Sequence, residues 1–334
     1  MSNVKHKDTD YLFLSTMLRA REPRMLTREK AMRMLDASSF EEAAKQLVDC
    51  GYPDMSGMTA GEIEDTLAQR RATAFQELAQ LSPESGLIDV FRMKYDYHNA
   101  KTLIKAEGAG VDGARLLSRA GRISPEQLAE AYHNENFISI PGRLASGMTE
   151  AKSILARTSN PQLADFALDK AYFAELLETA ERLGSDFLTG YAQAQIDSAN
   201  LRAAVRTLRM GRDTDFLRQA LVPGGTLGPD RILGAASSGE GLAALFATTA
   251  VAEAAALSAS AASGGTLTAF ELSCDDAVTN YLRKAKLKGF GEEPVIAYMA
   301  ALEAEITAAR MILTGRLSGI APAVIRERLR ETYA

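Results

Sequence analysis

The chain is poor in the residues that most often carry metal, redox or nucleophilic chemistry. It has two cysteines and three histidines in 334 residues. Cys50 and Cys274 stand far apart in sequence, which excludes the cysteine-dense framework of small secreted domains. They read as reduced thiols of a cytosolic protein. Of the histidines, His6 falls in a short polar leader. His98 has no His, Cys or paired carboxylate one helical turn on, and His133 lacks the HExxH spacing, so neither supports a metal centre. No Gly-x-Ser-x-Gly motif is present and no Cys–His pair is suggested by local sequence. Basic excess is missing too. Thirty-eight Lys and Arg against 43 Asp and Glu leave a net charge of −5, which argues against nucleic acid as a main partner. Lys5, His6, Lys7, Asp8 and Asp10 make the N-terminal stretch too polar for a signal peptide. Long apolar runs are almost absent. The one segment to check, Gly241 to Ala262, is diluted by Thr248, Thr249, Ser258, Ser260 and Glu253, and it reads as a small-residue helix packed closely between loops rather than a membrane span.

What remains is helix. Short β-branched runs of period two are lacking, and Ala, Leu, Glu, Arg and Met dominate, so the expected fold class is all-α. The length allows two or three units. Tyr11 to Arg21 forms a first helix stopped by Pro23. Thr27 caps a second, running through Met34. Ser39-Phe40-Glu41-Glu42 reads as a capping box opening a third, which ends near Cys50-Gly51-Tyr52-Pro53. Glu62 to Leu81 continues the pattern until Pro83. At the other end, Arg326 to Glu331 alternates in sign, as a solvated helix face with local ion pairs does.

One pattern occurs three times. Tyr95-Asp96-Tyr97-His98-Asn99-Ala100-Lys101 is followed by Gly121-Arg122-Ile123-Ser124-Pro125-Glu126. Ile196-Asp197-Ser198-Ala199-Asn200-Leu201-Arg202 is followed by Gly225-Thr226-Leu227-Gly228-Pro229-Asp230. Leu302-Glu303-Ala304-Glu305-Ile306 is followed by Ser318-Gly319-Ile320-Ala321-Pro322. By subtraction of positions, Asp96 and Asp197 lie about 101 residues apart, and Asp197 and Glu303 about 106. In each copy the first half lies on a helix stripe: Ile88, Phe91, Tyr95, Asn99 and Leu103; Leu188, Ala192, Ile196, Asn200 and Ala204; Val295, Tyr298, Leu302, Ile306 and Arg310. Asn99 and Asn200 fill one slot of that stripe and Ile306 fills it in the third copy. An isoleucine there makes the slot a packing position rather than a ligand site. Pro125, Pro229 and Pro322 each stand where a helix starts, with Ser124 the best capping residue of the three. The third copy is the odd one out, with about 19 residues from Glu303 to Pro322 against 29 and 32 in the others, by subtraction. Three copies of one helical unit predict a pseudo-threefold object. The boundaries expected are 1–141, 142–240 and 241–334.

Asp96, Asn99, Asp197, Asn200, Glu303, Ile306, Pro125, Pro229 and Pro322 are accordingly read as repeat-defining structural positions. No residue is assigned a catalytic, cofactor-binding or metal-ligating role. Gly108-Ala109-Gly110-Val111-Asp112-Gly113 matches GxGxxG, but a dinucleotide site requires a strand before it, and a helix is expected here. Glu303 and Glu305, two apart on a helix, face different ways and make no acid/base pair.

The order and spacing of these segments resemble the C subunit of bacterial and archaeal V/A-type ATPases, the counterpart of the d subunit of eukaryotic V-ATPases. The resemblance covers essentially the whole chain. It is strongest in Gly289-Phe290-Gly291-Glu292-Glu293-Pro294-Val295-Ile296-Ala297-Tyr298, in the third repeat core, and in Ile325-Arg326-Glu327-Arg328-Leu329-Arg330-Glu331-Thr332-Tyr333. It implies three helical units around a pseudo-threefold axis, forming a funnel-like socket on the cytoplasmic face of a membrane rotor ring. The rotor shaft, made of the D and F subunits, would seat in the socket. The role implied is mechanical and non-catalytic, coupling shaft rotation to the proteolipid ring that carries H⁺ or Na⁺, peripheral to the membrane without inserting into it, and without a cofactor. Two other readings fit an all-helical chain: a soluble enzyme using the Gly108 loop for a nucleotide, and a generic helical-repeat adaptor. The Ala/Ser-rich stretch from Gly234 to Gly265 departs from the family pattern.

Overall fold

A computed structural model of the chain describes residues 6–333. Lys5, part of the polar leader noted above, lies outside them. Every regular element among the described residues is helical, as the composition predicts. The α-helices are α1 Leu12–Arg21, α2 Arg28–Asp36, α3 Phe40–Lys45, α4 Ala60–Leu81, α5 Gly86–Ala109, α6 Pro125–His133, α7 Gly142–Thr158, α8 Pro161–Leu183, α9 Asp186–Arg209, α10 Thr214–Ala220, α11 Pro229–Ala235, α12 Gly239–Phe246, α13 Ala252–Ala256, α14 Ser258–Ala262, α15 Leu267–Arg283, α16 Glu292–Leu317 and α17 Pro322–Arg326. They form two compact units. One is Asp89–Gly265; the other joins residues 6–88 to residues 266–333.

The second unit is organised around α16. This helix is apolar on every side, burying Val295, Ile296, Tyr298, Met299, Leu302, Ile306, Ile312 and Leu313. A helix hydrophobic all round has to be enclosed, and α1, α2, α3, α4, α15 and α17 pack on it. Its start needs Gly291, whose φ of 133° suits glycine. The buried Ser15 hydroxyl of α1 fixes that turn, donating to the Gly291 carbonyl at 3.0 Å and accepting from its N–H at 3.2 Å. Thr27 caps α2 as expected, and Thr59 with Glu62 forms a complete capping box on α4. The Ser39 box is only half made. Ser39 accepts from the Glu42 N–H, but the Glu42 carboxylate turns to the Ser38 N–H at 2.8 Å. The helix it opens stops at Lys45, and a 3₁₀ turn, Val48–Cys50, carries the chain to Gly51 at φ 84°.

The charged C-terminal segment is not the solvated helix face its sign alternation suggests. Helix α17 ends at Arg326. Beyond it Leu329 and Tyr333 are buried, while Arg326 pairs with Asp36, Arg330 with Asp275, and Arg283 with Glu331 at 3.0 Å. The alternation serves ion pairs to α2 and α15, with apolar residues between them turned inward. Cys50 and Cys274 are both buried thiols.

In the first unit α7 and α8 pack along their length. Gly147 allows this approach, since a Cβ there would lie 2.7 Å from that of Ala171. Helix α9 packs against α8, α10, α11, α12 and α14. The Ala/Ser-rich stretch, expected as one helix, is broken into α12, α13 and α14. The break between α12 and α13 has a local cause: Thr249 donates its hydroxyl to the Phe246 carbonyl at 2.8 Å and accepts from the Val251 N–H at 3.3 Å. Side-chain bonds of this kind offer the backbone an alternative to the helix ladder. No helix among the described residues is long and apolar enough to cross a membrane. The close packing predicted for this stretch is present between α12 and α14, where a Cβ on Gly239 would sit 2.3 Å from the Ala259 Cα.

Gly239→Ala should therefore lower stability by about 1–3 kcal/mol, the usual cost of overpacking a filled contact. Urea unfolding of the two proteins measures this; an unchanged midpoint would show that the α12–α14 approach is looser than described.

Candidate functional site

The repeated acid and amide are buried polar groups, and geometry gives each a defined task. On α5 the stripe that buries Phe91 and Leu103 also buries Asn99, and Asp96 lies one turn earlier. A carboxamide in an apolar stripe must find both a donor and an acceptor. The loop after α5 supplies them. Asn99 Nδ2 donates to the Ser118 carbonyl at 2.8 Å, and the Ser118 N–H donates to Asn99 Oδ1 at 2.7 Å. Asp96 Oδ1 accepts from the Arg122 N–H at 2.9 Å and the Ile123 N–H at 3.2 Å. The loop is thus clasped at two points to one turn of helix. The chain then reaches Ser124, which caps α6 by accepting from the Gln127 N–H, with Pro125 in the first turn.

Helix α9 repeats this arrangement. Asn200 Nδ2 donates to the Val222 carbonyl at 2.8 Å, and the Val222 N–H donates to Asn200 Oδ1 at 2.8 Å. Asp197 Oδ1 accepts from the Thr226 N–H at 2.9 Å, and its other oxygen accepts from the Thr226 hydroxyl. The glycine before each aspartate contact is required. A Cβ on Gly121 would stand 2.3 Å from Asp96 Oδ1, and one on Gly225 would stand 2.4 Å from Asp197 Oδ1. Pro229 then begins α11 with Gly228 at the cap and no side-chain bond.

The two clasps differ in charge. In the first, Arg122 Nε donates to Asp96 Oδ2 at 2.6 Å, and its Nη1 donates to Glu175 at 2.7 Å. Tyr97 donates its hydroxyl to the other Glu175 oxygen at 2.7 Å. The second has the neutral Thr226 where the first has Arg122. In both, burial pushes the aspartate above its ordinary value of 3.8, while the surrounding donors pull it back down.

The third copy keeps the acid and turns it elsewhere. Glu303 accepts from Arg71 Nε of α4 at 2.8 Å, with both side chains buried. Glu305, on the other side of α16, accepts from the Leu26 N–H at 2.7 Å and the Tyr52 hydroxyl at 2.7 Å. Burial raises the Glu305 carboxyl above the ordinary range, against those donors. Ile306 is fully buried and has no amide to offer. Here the acids of α16 bind residues that precede it by more than two hundred positions. Pro322 starts α17 with Ala321 at the cap.

The nine repeat positions are thus placed in helix stripes, clasps and helix starts. In the first two copies the amide is directed at loop backbone, and the acid at loop backbone and one loop side chain, Arg122 or Thr226. Glu175 and Arg71 carry no mark in the sequence, being distant from the acids' own segments, while Tyr52, Tyr97 and Arg122 stand in the motifs without an evident task. Gly121 and Gly225 also stand there without a task; their fixed place before the Pro half was the available signal. Ser118 and Val222 left no signal, because they bond through their backbones.

The Gly108–Gly113 spacing is a helix stop. Helix α5 runs to Ala109, Gly110 has φ 66°, and the Val111 N–H closes the end on the Ala106 carbonyl at 3.0 Å. The strand that a dinucleotide fingerprint needs is replaced by helix. Beside this loop lies a cavity of about 330 Å³ lined by Leu103, Val111, Tyr132, His133 and Lys152 among others. Three of its polar groups already meet each other, with the Tyr132 hydroxyl donating to Glu107 and the Lys152 ammonium lying over the Tyr132 ring. Among the described residues no three His, Cys, Asp or Glu side chains converge as a metal site.

Known proteins share this chain's sequence pattern over nearly its full length. The family model described as "ATP synthase (C/AC39) subunit" matches residues 14–328. The C subunit of the V-type sodium ATPase of Enterococcus hirae is 24% identical over 325 residues, which cover 97% of this chain and 99% of that protein. The C subunit of the A-type ATP synthase of Methanocaldococcus jannaschii is 25% identical, covering 96% of this chain and 86% of its own. That of Desulfurococcus sp. is 23% identical over 72% of this chain and 69% of its own.

Two outcomes test the clasps. Asn200→Ala leaves the buried Val222 N–H and carbonyl without partners and should cost about 2–4 kcal/mol; urea unfolding that shows no loss would contradict the arrangement. The raised Asp197 has a signed pH effect. Its folded form holds a proton where the unfolded chain has lost it, so its contribution to stability grows as pH falls through the raised folded value and levels off below 3.8. Relative to Asp197→Asn, the wild-type chain should gain stability on acidification across that window; a constant gap between the two proteins would refute the shift.

Proposed function

The chain belongs to the ATP synthase (C/AC39) subunit family, and from that premise we propose that it is a non-catalytic central-stalk component of a rotary V/A-type ATPase or ATP synthase. In this reading it is a socket: a rotor shaft of D and F subunits seats in it, and it stands on the proteolipid ring at the cytoplasmic face of the membrane. It transmits rotation between the two while H⁺ or Na⁺ crosses the ring. The observation that carries the reading is the family match running through residues 14–328, together with a relative named as the C subunit of a V-type sodium ATPase that aligns over nearly its whole length.

The architecture proposed with it is three helical repeats, 1–141, 142–240 and 241–334, in a funnel of approximate threefold symmetry. The two clasps support kinship of the first two units, since Asp96 to Asn99 and Asp197 to Asn200 are equal steps and each pair holds the loop that follows its helix. The buried helix α16, its acid Glu303 and the helix start at Pro322 support the third, which lacks the amide. Compactness divides the chain differently. Both clasps fall in the unit Asp89–Gly265, and α16 falls in the unit with the N-terminal helices. The repeat boundaries concern kinship of segments, the compact units concern packing, and the two partitions answer separate questions. A coupler has to be stiff, and closely packed helices meeting at Gly147 and Gly239 suit that demand.

Purified chain mixed with a D–F shaft and with a proteolipid ring at low salt should co-elute with both on size-exclusion chromatography, and alone should hydrolyse no ATP. Failure to join either partner would sink the socket reading. Stabilisation of the chain alone by nucleotides in a thermal-shift series would favour the enzyme reading instead.

A further inference from the structure

The link between α15 and α16 concentrates positive charge in an acidic protein. Lys284, Lys286 and Lys288 are three of the chain's twelve lysines, within five residues, while the whole chain carries −5. Between and after them come apolar residues facing outward. Leu287 is 88% exposed and Phe290 42%, whereas Ala285 is buried. A 3₁₀ turn, Lys284–Leu287, shapes the segment, and α1 holds it from behind. Arg19 donates through Nη2 to the Lys288 carbonyl at 2.9 Å and also to that of Ala285. Ser15 exchanges bonds with Gly291 just beyond. The N-terminal end of α1 itself bears Leu12 and Phe13, 51% and 68% exposed. Leu287 is therefore presented by a fixed backbone.

All three lysines are exposed. Lys284 stands 4.5 Å from the Tyr281 ring centre and Lys286 4.9 Å from that of Tyr333. Lys288 shares its charge with Glu293 at 3.4 Å, and Asp8 lies near Gly291 as a second local acid. Lysines alternating with protruding apolar tips suit one kind of surface well. In a lipid interface the tips enter the headgroup boundary while long lysine stems reach anionic phosphates. A protein partner would need a broad complementary face; a narrow ridge of flexible cations around one or two apolar tips needs only a soft, negatively charged plane.

We propose that the Lys284–Phe290 segment is a contact site for an anionic lipid bilayer, with Leu287 and Phe290 inserting at the interface and the three lysines binding lipid phosphates. This contact belongs to the chain itself and does not depend on the shaft-and-ring assembly proposed above, so either can fail without the other.

The test is flotation of the full chain with vesicles of phosphatidylcholine alone or of phosphatidylcholine with phosphatidylserine. The chain should float with the anionic vesicles at low salt. It should be released at about 1 M salt, where the screening length shrinks to about 3 Å. At about fivefold per lysine, the triple variant Lys284→Gln, Lys286→Gln, Lys288→Gln should partition roughly a hundredfold less. The triple Lys→Arg variant should keep the binding, and Leu287→Ser with Phe290→Ser should weaken it. All the substituted side chains are exposed, so thermal unfolding should confirm that each variant folds as the parent does. No flotation with the anionic vesicles, equal flotation with neutral ones, or binding that survives the Lys→Gln triple overturns the proposal. So does a result in which the lysines matter only for binding another protein.

Discussion

A buried carboxylate or carboxamide commits the chain around it. Removing Asp96, Asn99, Asp197 and Asn200 from water is costly unless each lone pair and N–H finds a partner. In both early repeats backbone groups of the loop that follows satisfy the amide and one carboxylate oxygen, and a side chain of the same loop, Arg122 or Thr226, satisfies the other. The consequence is a fixed local construction: one helical turn dictates the path of a loop, the loop must contain a glycine where the carboxylate approaches, and the path ends at a proline-initiated helix. Gly121 and Gly225 are as necessary as the acids they face, because a Cβ would occupy the space of the carboxylate oxygen. These residues form a construction device. Their polar atoms are directed inward to the loop that follows, mostly to its main chain, which agrees with a component whose task is to hold shape.

The unit around α16 solves the same problem through long-range pairs. Glu303 meets Arg71, and Glu305 meets Tyr52 and the Leu26 N–H. The Arg71–Glu303 pair is buried on both sides, and breaking a buried ion pair by removing one partner typically costs about 3–5 kcal/mol. Because these bonds join the start of the chain to its end, the unit requires both termini-proximal segments before it is complete. The ion pairs of Arg326, Arg330 and Arg283 add to that closure.

Much of this is legible in the sequence for physical reasons. Helix stripes show through the 3.6-residue period, and α5, α9 and α16 bury residues it selects. Prolines and capping residues mark Thr27, Ser124, Pro229 and Pro322 as places where helices begin. The isoleucine at position 306 separates packing from ligand binding at the amide slot. Other features leave no local trace. Side chains that bond distant backbone, such as Asn99 to Ser118, depend on tertiary proximity. The Ser39 box is half made because Ser38 competes for the same Glu42 carboxylate. The Ala/Ser-rich stretch reads as one helix because alanine favours helix, and the hydroxyl of Thr249 that diverts the backbone is a single weak signal among many. The C-terminal charge alternation misleads because ion pairs between elements follow the same one-dimensional pattern as a solvated face.

The proposed role is coupling, and coupling is measured most directly in a rotary complex reconstituted into sealed vesicles with and without this chain. The account predicts that without it ATP is still hydrolysed while ion transport is lost, and that adding the purified chain restores transport to hydrolysis. Transport that proceeds undiminished in its absence would contradict the account.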